Sequence, residues 1–225
     1  MQITKAALAS LIDHTLLKPD AKPDDIVLLC NEAKHFKFGA VCVNPCCVSI
    51  AGNELAGSSI GVCSVIGFPL GASEPSTKAF EAAVAVQSGA TELDVVINIG
   101  FLKGGLFELM KADLAGVIQC ARRESPGTII KIILETCLLS DSEKIKVCKL
   151  AVELGANFVK TSTGWSKSGA TISDVALLKQ SVGNSIGVKA SGGIRDLSSV
   201  LAMIDAGATR IGTSSGLSII NELAE

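Results

Sequence analysis

One short pattern recurs four times along the chain, and it limits what the chain can fold into. A stretch with helical spacing of apolar residues ends in Gly-Ala and passes at once into a short β-rich run. The four pairs are Gly39-Ala40, Gly89-Ala90, Gly155-Ala156 and Gly207-Ala208. Glycine can take the left-handed conformation that closes a helix, and strands that are almost entirely apolar are typical of parallel sheets covered on both faces. The pattern therefore predicts repeated helix-to-strand units.

The number of strand-like runs indicates how these units are arranged. Seven apolar runs lie at 39–44, 60–67, 92–98, 129–136, 158–163, 186–192 and 210–216, and an eighth candidate lies at 11–17. The segments between them have helical periodicity. Eight alternating strands and helices predict an α/β protein, a (β/α)₈ TIM barrel that forms a single domain over residues 1–225. A doubly wound open sheet is the alternative, but it commonly carries G-x-G-x-x-G after its first strand, and the sequence contains no such motif.

The composition disfavours several classes of partner. The 20 Lys and Arg residues against 22 Asp and Glu give a net charge of −2, without the blocks of like charge that are typical of nucleic-acid or membrane-surface binding. A compact anion such as one phosphate is still compatible with this balance. The start of the chain has no basic segment followed by a long apolar one, and no run approaches ~18 apolar residues. We therefore expect a cytoplasmic protein that binds neither nucleic acid nor membranes.

The eight cysteines lie mostly in apolar runs and have no C-x-x-C spacing. We interpret them as reduced core residues and not as disulfide partners or zinc ligands. The two histidines, His14 and His35, are far apart in the sequence. No metal site is therefore expected.

Four charged residues, Asp94, Lys131, Lys160 and Lys189, lie inside otherwise apolar strand runs. A buried charge must be paired or change its pKa. One interpretation is structural pairing across the barrel, for instance of Asp94 or Glu135 with a lysine. The other is catalysis, because the reacting groups of barrel enzymes come from the C-terminal ends of the strands.

Lys160 and Lys189 belong to the neighbouring sixth and seventh strands. If both side chains enter the barrel at similar depth, their ammonium groups would be ~5 Å apart and would repel by about 3 kcal/mol at an effective dielectric of ~20. Repulsion and desolvation favour a neutral amine, which is a nucleophile that can form an iminium with a carbonyl substrate. Asp94 could then exchange protons with the intermediate, directly or through water, and Lys189 could hold or relay a proton. These residues alone do not indicate which lysine attacks.

Glycine and serine cluster after the last three strands, where barrel enzymes often bind phosphate through backbone N–H groups. The predicted binding residues after the seventh and eighth strands are Gly192, Gly193, Gly212, Ser214 and Ser215, and those after the sixth are Thr163, Gly164, Ser168 and Gly169. The alternative is that these glycines form only tight turns and that Asp196 is only a helix N-cap.

Five longer runs together resemble the deoxyribose-phosphate aldolase family over almost the whole chain. They are LIDHTLLKPDA, GFPLGA, ELDVVIN, FVKTSTGWSKSGAT and VKASGGIRD. The combination of V-K-T-S-T-G with a later V-K-x-x-G-G-[VI]-R is far more specific than any single glycine-rich loop. The resemblance implies a class I aldolase that reversibly cleaves 2-deoxy-D-ribose 5-phosphate to D-glyceraldehyde 3-phosphate and acetaldehyde, with no metal or organic cofactor.

The resemblance also implies roles for individual residues. Lys160 would form the Schiff base, and Lys189 and Asp94 would assist proton transfer. Asp13 and Cys42 match positions near the substrate, although Cys42 could equally be a filler of the barrel interior.

Two departures from the family pattern affect these expectations. Trp165 follows the T-S-T-G glycine where some members have lysine, so phosphate contacts on that side would come from backbone groups, Ser168 or Lys167. Certain members end in a mobile tyrosine that helps proton exchange, whereas this chain contains no tyrosine. Proton transfer must then rely on Asp94, Lys189 and water, or turnover is slower.

Two other functions compete with an aldolase that acts on a phosphorylated deoxysugar and small aldehydes. Another phosphosugar barrel enzyme would share the phosphate loops but would not require covalent modification of Lys160. A non-catalytic barrel that senses a phosphorylated metabolite would not need the lysine pair. The exposed helices of a barrel serve monomers and dimers alike, so a homodimer is one option that the sequence leaves open.

Overall fold

The structure is a computed structural model that describes residues 3–223. Its strands form a closed barrel in the order of the chain, and each is parallel to its neighbours, including β1 and β8. The strands are β1 (Ile12–Leu16), β2 (Ala40–Val43), β3 (Gly61–Ile66), β4 (Glu92–Val96), β5 (Ile129–Ile133), β6 (Phe158–Lys160), β7 (Gly187–Ser191) and β8 (Arg210–Thr213). The prediction of a (β/α)₈ barrel is confirmed.

Helices connect the strands and cover the outside of the barrel. They are α1 (Lys5–Ser10), α2 (Pro23–Phe36), α3 (Val48–Glu54), α4 (Pro75–Gln87), α5 (Ile99–Lys103), α6 (Phe107–Glu124), α7 (Asp141–Glu153), α8 (Ile172–Val182), α9 (Leu197–Asp205) and α10 (Gly216–Glu222). Local sequence sets several of their starts. Ser140 caps α7 and forms a reciprocal capping box with Glu143, which satisfies N–H groups that lack partners within the helix.

The Gly-Ala pairs close helices as predicted at three of the four places. Gly89, Gly155 and Gly207 have positive φ angles of 110°, 70° and 110°, as a glycine that ends a helix should. Gly39 is different, because the left-handed residue after α2 is Lys37, with φ 58°. A side chain at Gly39 would collide with the carbonyl group of Ser10 and the guanidinium of Arg210. Glycine is needed there for close approach and not for its φ angle.

The observed strands are shorter than the apolar runs that predicted them. The run at 158–163 contains only three strand residues, Phe158–Lys160, although Thr161 still donates its backbone N–H to Lys189 O at 3.1 Å. The remaining residues of the run form the loop at the C-terminal mouth of the barrel. These three residues, Thr161, Ser162 and Thr163, are polar but are as buried as the strand.

The main apolar core lies between the barrel and the helices, whereas the barrel interior is largely polar. Outward-facing strand residues such as Val41, Leu93 and Val95 belong to the large core cluster. A second, small cluster contains Cys42, Cys63 and Val65. Among the helices of residues 3–223, none combines the length and the apolar composition required to span a bilayer.

Candidate active site

Inward-facing side chains form one network of charges in the barrel interior. The network consists of Asp13, Glu92, Asp94, Lys131, Lys160, Lys189 and Arg210. All except Arg210, which is partly exposed, are buried. Such charges are tolerated inside a protein only when they are paired with one another.

Asp94 lies at the centre of this network. Its Oδ2 is 2.7 Å from the Nζ of Lys160 and 2.7 Å from that of Lys189, and its Oδ1 is 2.8 Å from Lys131 Nζ. Strand register brings the partners together, because Lys160 pairs with Lys189 across β6 and β7, and Asp94 pairs with Lys131 across β4 and β5. Burial alone would raise the pKa of Asp94, but the three ammonium groups hold it well below its usual range. Asp94 is therefore an anion.

Lys131 and Lys189 each have further carboxylate partners. Lys189 Nζ is 2.5 Å from Asp13 Oδ2, and Lys131 Nζ is 2.6 Å from Glu92 Oε2. Burial opposes the charge on both lysines, but the neighbouring carboxylates outweigh burial and raise both pKa values. Repulsion between two lysines favours a neutral amine only where carboxylates do not compensate it, and Lys189 has two carboxylate partners, Asp13 and Asp94. Lys189 is therefore not the amine that repulsion makes neutral.

Lys160 is held less strongly than the other two lysines. Its ion-pair partner is Asp94 Oδ2, an oxygen that it shares with Lys189. The described network also holds four basic side chains against three carboxylates. Of the three lysines, Lys160 has the fewest carboxylate partners, so it is the one that the network attracts least. This geometry distinguishes two lysines that sequence left equivalent.

Lys160 also lies at the wall of a cavity of about 260 Å³ at the C-terminal mouth of the barrel. Six of the predicted binding residues line this cavity, namely Thr163, Gly164, Gly192, Gly193, Gly212 and Ser214. The structure thus brings the loops after β6, β7 and β8 together around the amine. A group of the size of a sugar phosphate could contact the lysine and the glycine-rich loops at the same time.

The other predicted site residues do not line the cavity. Asp13, Asp94 and Lys189 belong to the charged network, and all three side chains are fully buried. A side chain at Gly169 would collide with the backbone of Gly192, so this glycine permits contact between two loops. Ser215 already donates its backbone N–H to Thr213 Oγ1 at 2.9 Å.

Ser168, a predicted binding residue, and Asp196, the predicted N-cap, also lie outside the cavity lining. Ser168 is exposed in the loop after β6. Asp196 caps α9, where its carboxylate accepts the N–H of Ser199 at 2.8 Å. The N-cap interpretation of Asp196 is therefore confirmed.

Sequence reasoning missed several residues of the site. Thr15, Lys18 and Arg195 line the cavity, and the last two bring positive charge to its rim. Thr15 lies near the C-terminal end of β1, and Lys18 and Arg195 lie in the loops after β1 and β7, so position at this end of the barrel was the usable signal. Glu92 and Arg210 begin strands β4 and β8 and had no recognisable signal, because their ion pair forms across the barrel with the N and O atoms 3.0 Å apart.

Cys42 and Cys63 lie beside Asp94 on neighbouring strands. Cys63 donates to Asp94 Oδ1 at 3.1 Å, and burial raises its pKa well above the usual value. The hydrogen bond with Cys63 lowers the pKa of Cys42. The ligand atoms of these three residues lie within 4.8 Å of one another, but Lys131 Nζ is also 3.2 Å from Cys63 Sγ. A cation bound there would have to displace the lysines from Asp94.

Comparison with known proteins agrees with this geometry. The family model described as DeoC/LacD family aldolase matches residues 7–222. A deoxyribose-phosphate aldolase of Carboxydothermus hydrogenoformans is 53% identical over 221 residues, which cover 98% of this chain and 97% of the relative. Another, of Mannheimia succiniciproducens, is 49% identical over 218 residues, which cover 97% of this chain and 96% of the relative.

A solved structure gives the same result. The deoxyribose phosphate aldolase of Aeropyrum pernix, described as a unique tetramer, is 33% identical to this chain and superposes with a TM-score of 0.90. The match covers 97% of this chain and 92% of that structure. The family model's range, 7–222, includes every strand that contributes to the charged network. The chain belongs to the DeoC/LacD family of aldolases.

Proposed function

We propose that the protein reversibly cleaves 2-deoxy-D-ribose 5-phosphate to D-glyceraldehyde 3-phosphate and acetaldehyde through a Schiff base on Lys160. The observation that carries this proposal is the position of Lys160, the lysine of the network that reaches the cavity and that has the fewest carboxylate partners. A neutral amine at this position can attack the aldehyde carbon of the open-chain sugar.

The chemistry follows from the electron demand of the iminium. Attack by Lys160 and loss of water give the iminium at C1 of the sugar. A base then removes the proton of the C3 hydroxyl, the C2–C3 bond breaks, and its electron pair forms an enamine while C3 becomes the aldehyde of the phosphorylated product. Protonation of the enamine at C2 and addition of water release acetaldehyde and the free amine.

Asp94 and Lys189 are placed to move the protons of this sequence. Lys189 and Lys160 each donate a hydrogen bond to Asp94 Oδ2. Because Asp94 is anionic and Lys189 protonated, the pair can accept a proton on one side and supply one on the other, with water as the link to the substrate. Asp13 forms an ion pair with Lys189. The proposed relay uses no tyrosine.

The loops after β6, β7 and β8 are proposed to bind the phosphate. Gly192, Gly193 and Ser214 line the cavity, and Lys18 and Arg195 bring positive charge to the same wall. Backbone N–H groups of glycine-rich loops at this end of a barrel commonly bind phosphate. Thr163, Gly164 and Gly212 also line the cavity. We assign supporting roles in these loops to Ser168, Gly169 and Ser215, and a position near the substrate to Cys42.

Trapping with borohydride tests the covalent step. Incubation with acetaldehyde and sodium borohydride reduces the iminium to a stable secondary amine, so we expect mass spectrometry to find an ethyl group on Lys160. Folded protein that turns over the sugar without modification of Lys160 would rule out this mechanism. Tight binding of the sugar phosphate without turnover would instead favour a sensor.

The assembly and location of the enzyme are also proposals. We propose that residues 1–225 act as one domain, which the pairing of β1 with β8 supports, and that the enzyme forms a homodimer in the cytoplasm. The large apolar side chains exposed on and before α4, Leu70, Phe80 and Val84, support self-association, and eight free cysteines fit a reducing compartment. Light scattering at several protein concentrations measures the oligomeric state.

A further inference from the structure

Glu135 is a buried carboxylate at the mouth of the barrel, outside the charged network. It follows β5 and is 3% exposed. Its backbone is left-handed, with φ 57° and ψ 62°, which is uncommon for a residue other than glycine. Burial of a carboxylate is costly unless hydrogen bonds satisfy it, and a costly backbone conformation is typical of functional sites. The contacts of its side chain indicate what the residue does.

Two hydrogen bonds to Glu135 come from the loop that follows β6. Thr163 donates its backbone N–H to Glu135 Oε2 at 3.3 Å, and its hydroxyl donates to the same oxygen in a short hydrogen bond. The Thr163 hydroxyl in turn accepts the backbone N–H of Trp165 at 3.1 Å. One carboxylate therefore fixes three consecutive residues, 163–165, relative to β5.

The loop held in this way forms part of the cavity wall. It includes Gly164, which has a φ angle of 85° and whose Cα lies 3.3 Å from the position that a Cβ on Gly192 would occupy. The loops after β6 and β7 thus meet backbone against backbone. Thr163, Gly164 and Gly192 all line the cavity, so displacement of the first loop would open the wall beside the proposed phosphate site.

We propose that Glu135 is a positioning residue for phosphate recognition. Its carboxylate holds Thr163, and through Thr163 the loop 163–165, against Gly192, so that the enzyme favours phosphorylated over unphosphorylated deoxyribose. The inference rests on the proposed function, but it concerns the affinity for phosphate and not the cleavage of the carbon-carbon bond. Glu135 contacts neither Lys160 nor Asp94 by a hydrogen bond or ion pair in the part of the chain from 3 to 223.

The substitution Glu135→Gln tests this role, because it keeps the shape of the side chain and removes its charge. Charge-assisted hydrogen bonds are stronger than neutral ones, so we expect KM for 2-deoxy-D-ribose 5-phosphate to rise about tenfold with kcat changed by less than about twofold. The inhibition constant for inorganic phosphate should rise by the same factor. With unphosphorylated 2-deoxy-D-ribose, kcat/KM should change by less than about twofold.

Variants of Thr163 provide the matching measurements. Thr163→Val removes the hydroxyl and should reproduce the loss of phosphate affinity, whereas Thr163→Ser should restore most of it. The double variant Glu135→Gln/Thr163→Val should be no worse than either single variant, because both remove one interaction. Glu153→Gln, the same substitution at an exposed helix position, is the control and should leave both sugars unaffected.

Several results would overturn the proposal. They are an equal loss for both sugars, a fall in kcat with KM unchanged, and additive effects in the double variant. If Glu135→Gln does not fold, the comparison of Thr163→Val with Thr163→Ser decides the same question. Should the unaltered protein turn over neither sugar, the proposed function fails, and calorimetric binding of inorganic phosphate to the same variants still decides the role of Glu135.

Discussion

Two buried lysines of this protein have different surroundings. Lys78, on α4, is 0% exposed and lies between helices and barrel, where its Nζ is 2.5 Å from Asp113 of α6 and 2.8 Å from Val96 O. Lys160 is also buried, but it shares its carboxylate with Lys189 and reaches a cavity. Burial alone therefore does not make a lysine reactive. The ratio of cations to carboxylates, together with access for a substrate, distinguishes them.

The largest expected effect is on the reactive side of this comparison. Lys160→Met should lower kcat by more than about a thousandfold, because it removes the network lysine that lines the cavity and is proposed to form the covalent intermediate. The variant should unfold at the same temperature as the parent or at a higher one, since it removes a cation from a network with excess positive charge. Steady-state kinetics and thermal unfolding measure the two effects. Substantial turnover by a folded variant would contradict the proposed role.

Lys78→Met should have the opposite profile. It leaves Asp113 buried without its cation, so we expect the free energy of unfolding to fall by about 3–5 kcal/mol. The kcat of the folded fraction should change by less than about twofold, because Lys78 lies outside the cavity. Lys78→Met/Asp113→Leu should recover most of the stability. Denaturant unfolding tests this, and a double variant no more stable than the single one would show that loss of packing, not loss of charge pairing, is responsible.

Lys189→Met should affect both rate and pH dependence. It removes the second cation from Asp94 Oδ2, so Lys160 experiences the full attraction of this carboxylate and holds its proton more tightly. The acidic limb of the pH–rate profile should therefore move to higher pH, and kcat should fall by about 10- to 1000-fold through loss of a proton-transfer group. An unchanged profile with a lower rate would mean that Lys189 only positions or relays.

The smallest expected effect contrasts the two carboxylates that pair with these lysines. The network lowers the pKa of Asp94, whereas burial raises that of Asp113 above its usual value although Lys78 opposes this shift. A carboxyl group whose pKa is lowered by folding stabilises the folded state at pH values above its unfolded-state pKa of about 3.8–3.9. This stability is lost as the pH falls through the folded-state pKa. A raised pKa has the opposite sign, because the folded state then binds the proton more readily.

Below about pH 4–5, therefore, Asp94→Asn should show a flatter loss of stability on acidification than the parent, and Asp113→Asn a steeper one. Urea unfolding at a series of pH values measures both slopes. Slopes that change in the same direction in the two variants would disprove this assignment of the shifts.

The sequence was sufficient to predict the barrel because its evidence is local and repeated. Apolar runs of strand length and glycine at helix ends recur along the chain, and β7 and β8 lie where the runs at 186–192 and 210–216 predicted them. Gly39 shows where such reasoning fails. Its glycine is required by a contact with Ser10 and Arg210, and contacts between distant parts of the chain leave no local pattern.

The site was predictable only in part for a related reason. A charged residue inside an apolar strand is visible in the sequence, which is why Asp94, Lys160 and Lys189 could be predicted as site residues. Their partners could not be assigned, because pairing depends on depth in the barrel and on rotamers. The link between Glu135 and Thr163 has no periodicity at all, since it joins two loops after different strands.

The pairing of β1 with β8 has a topological consequence. In a closed ring of parallel strands each strand has the same two kinds of neighbour, and the first and last helices, α1 and α10, are in contact. The order of strands around the ring is therefore independent of where the chain is cut. A circular permutant that joins the present ends by a linker and opens the exposed turn after α3, near Gly57, would keep every strand pair and every loop of the cavity.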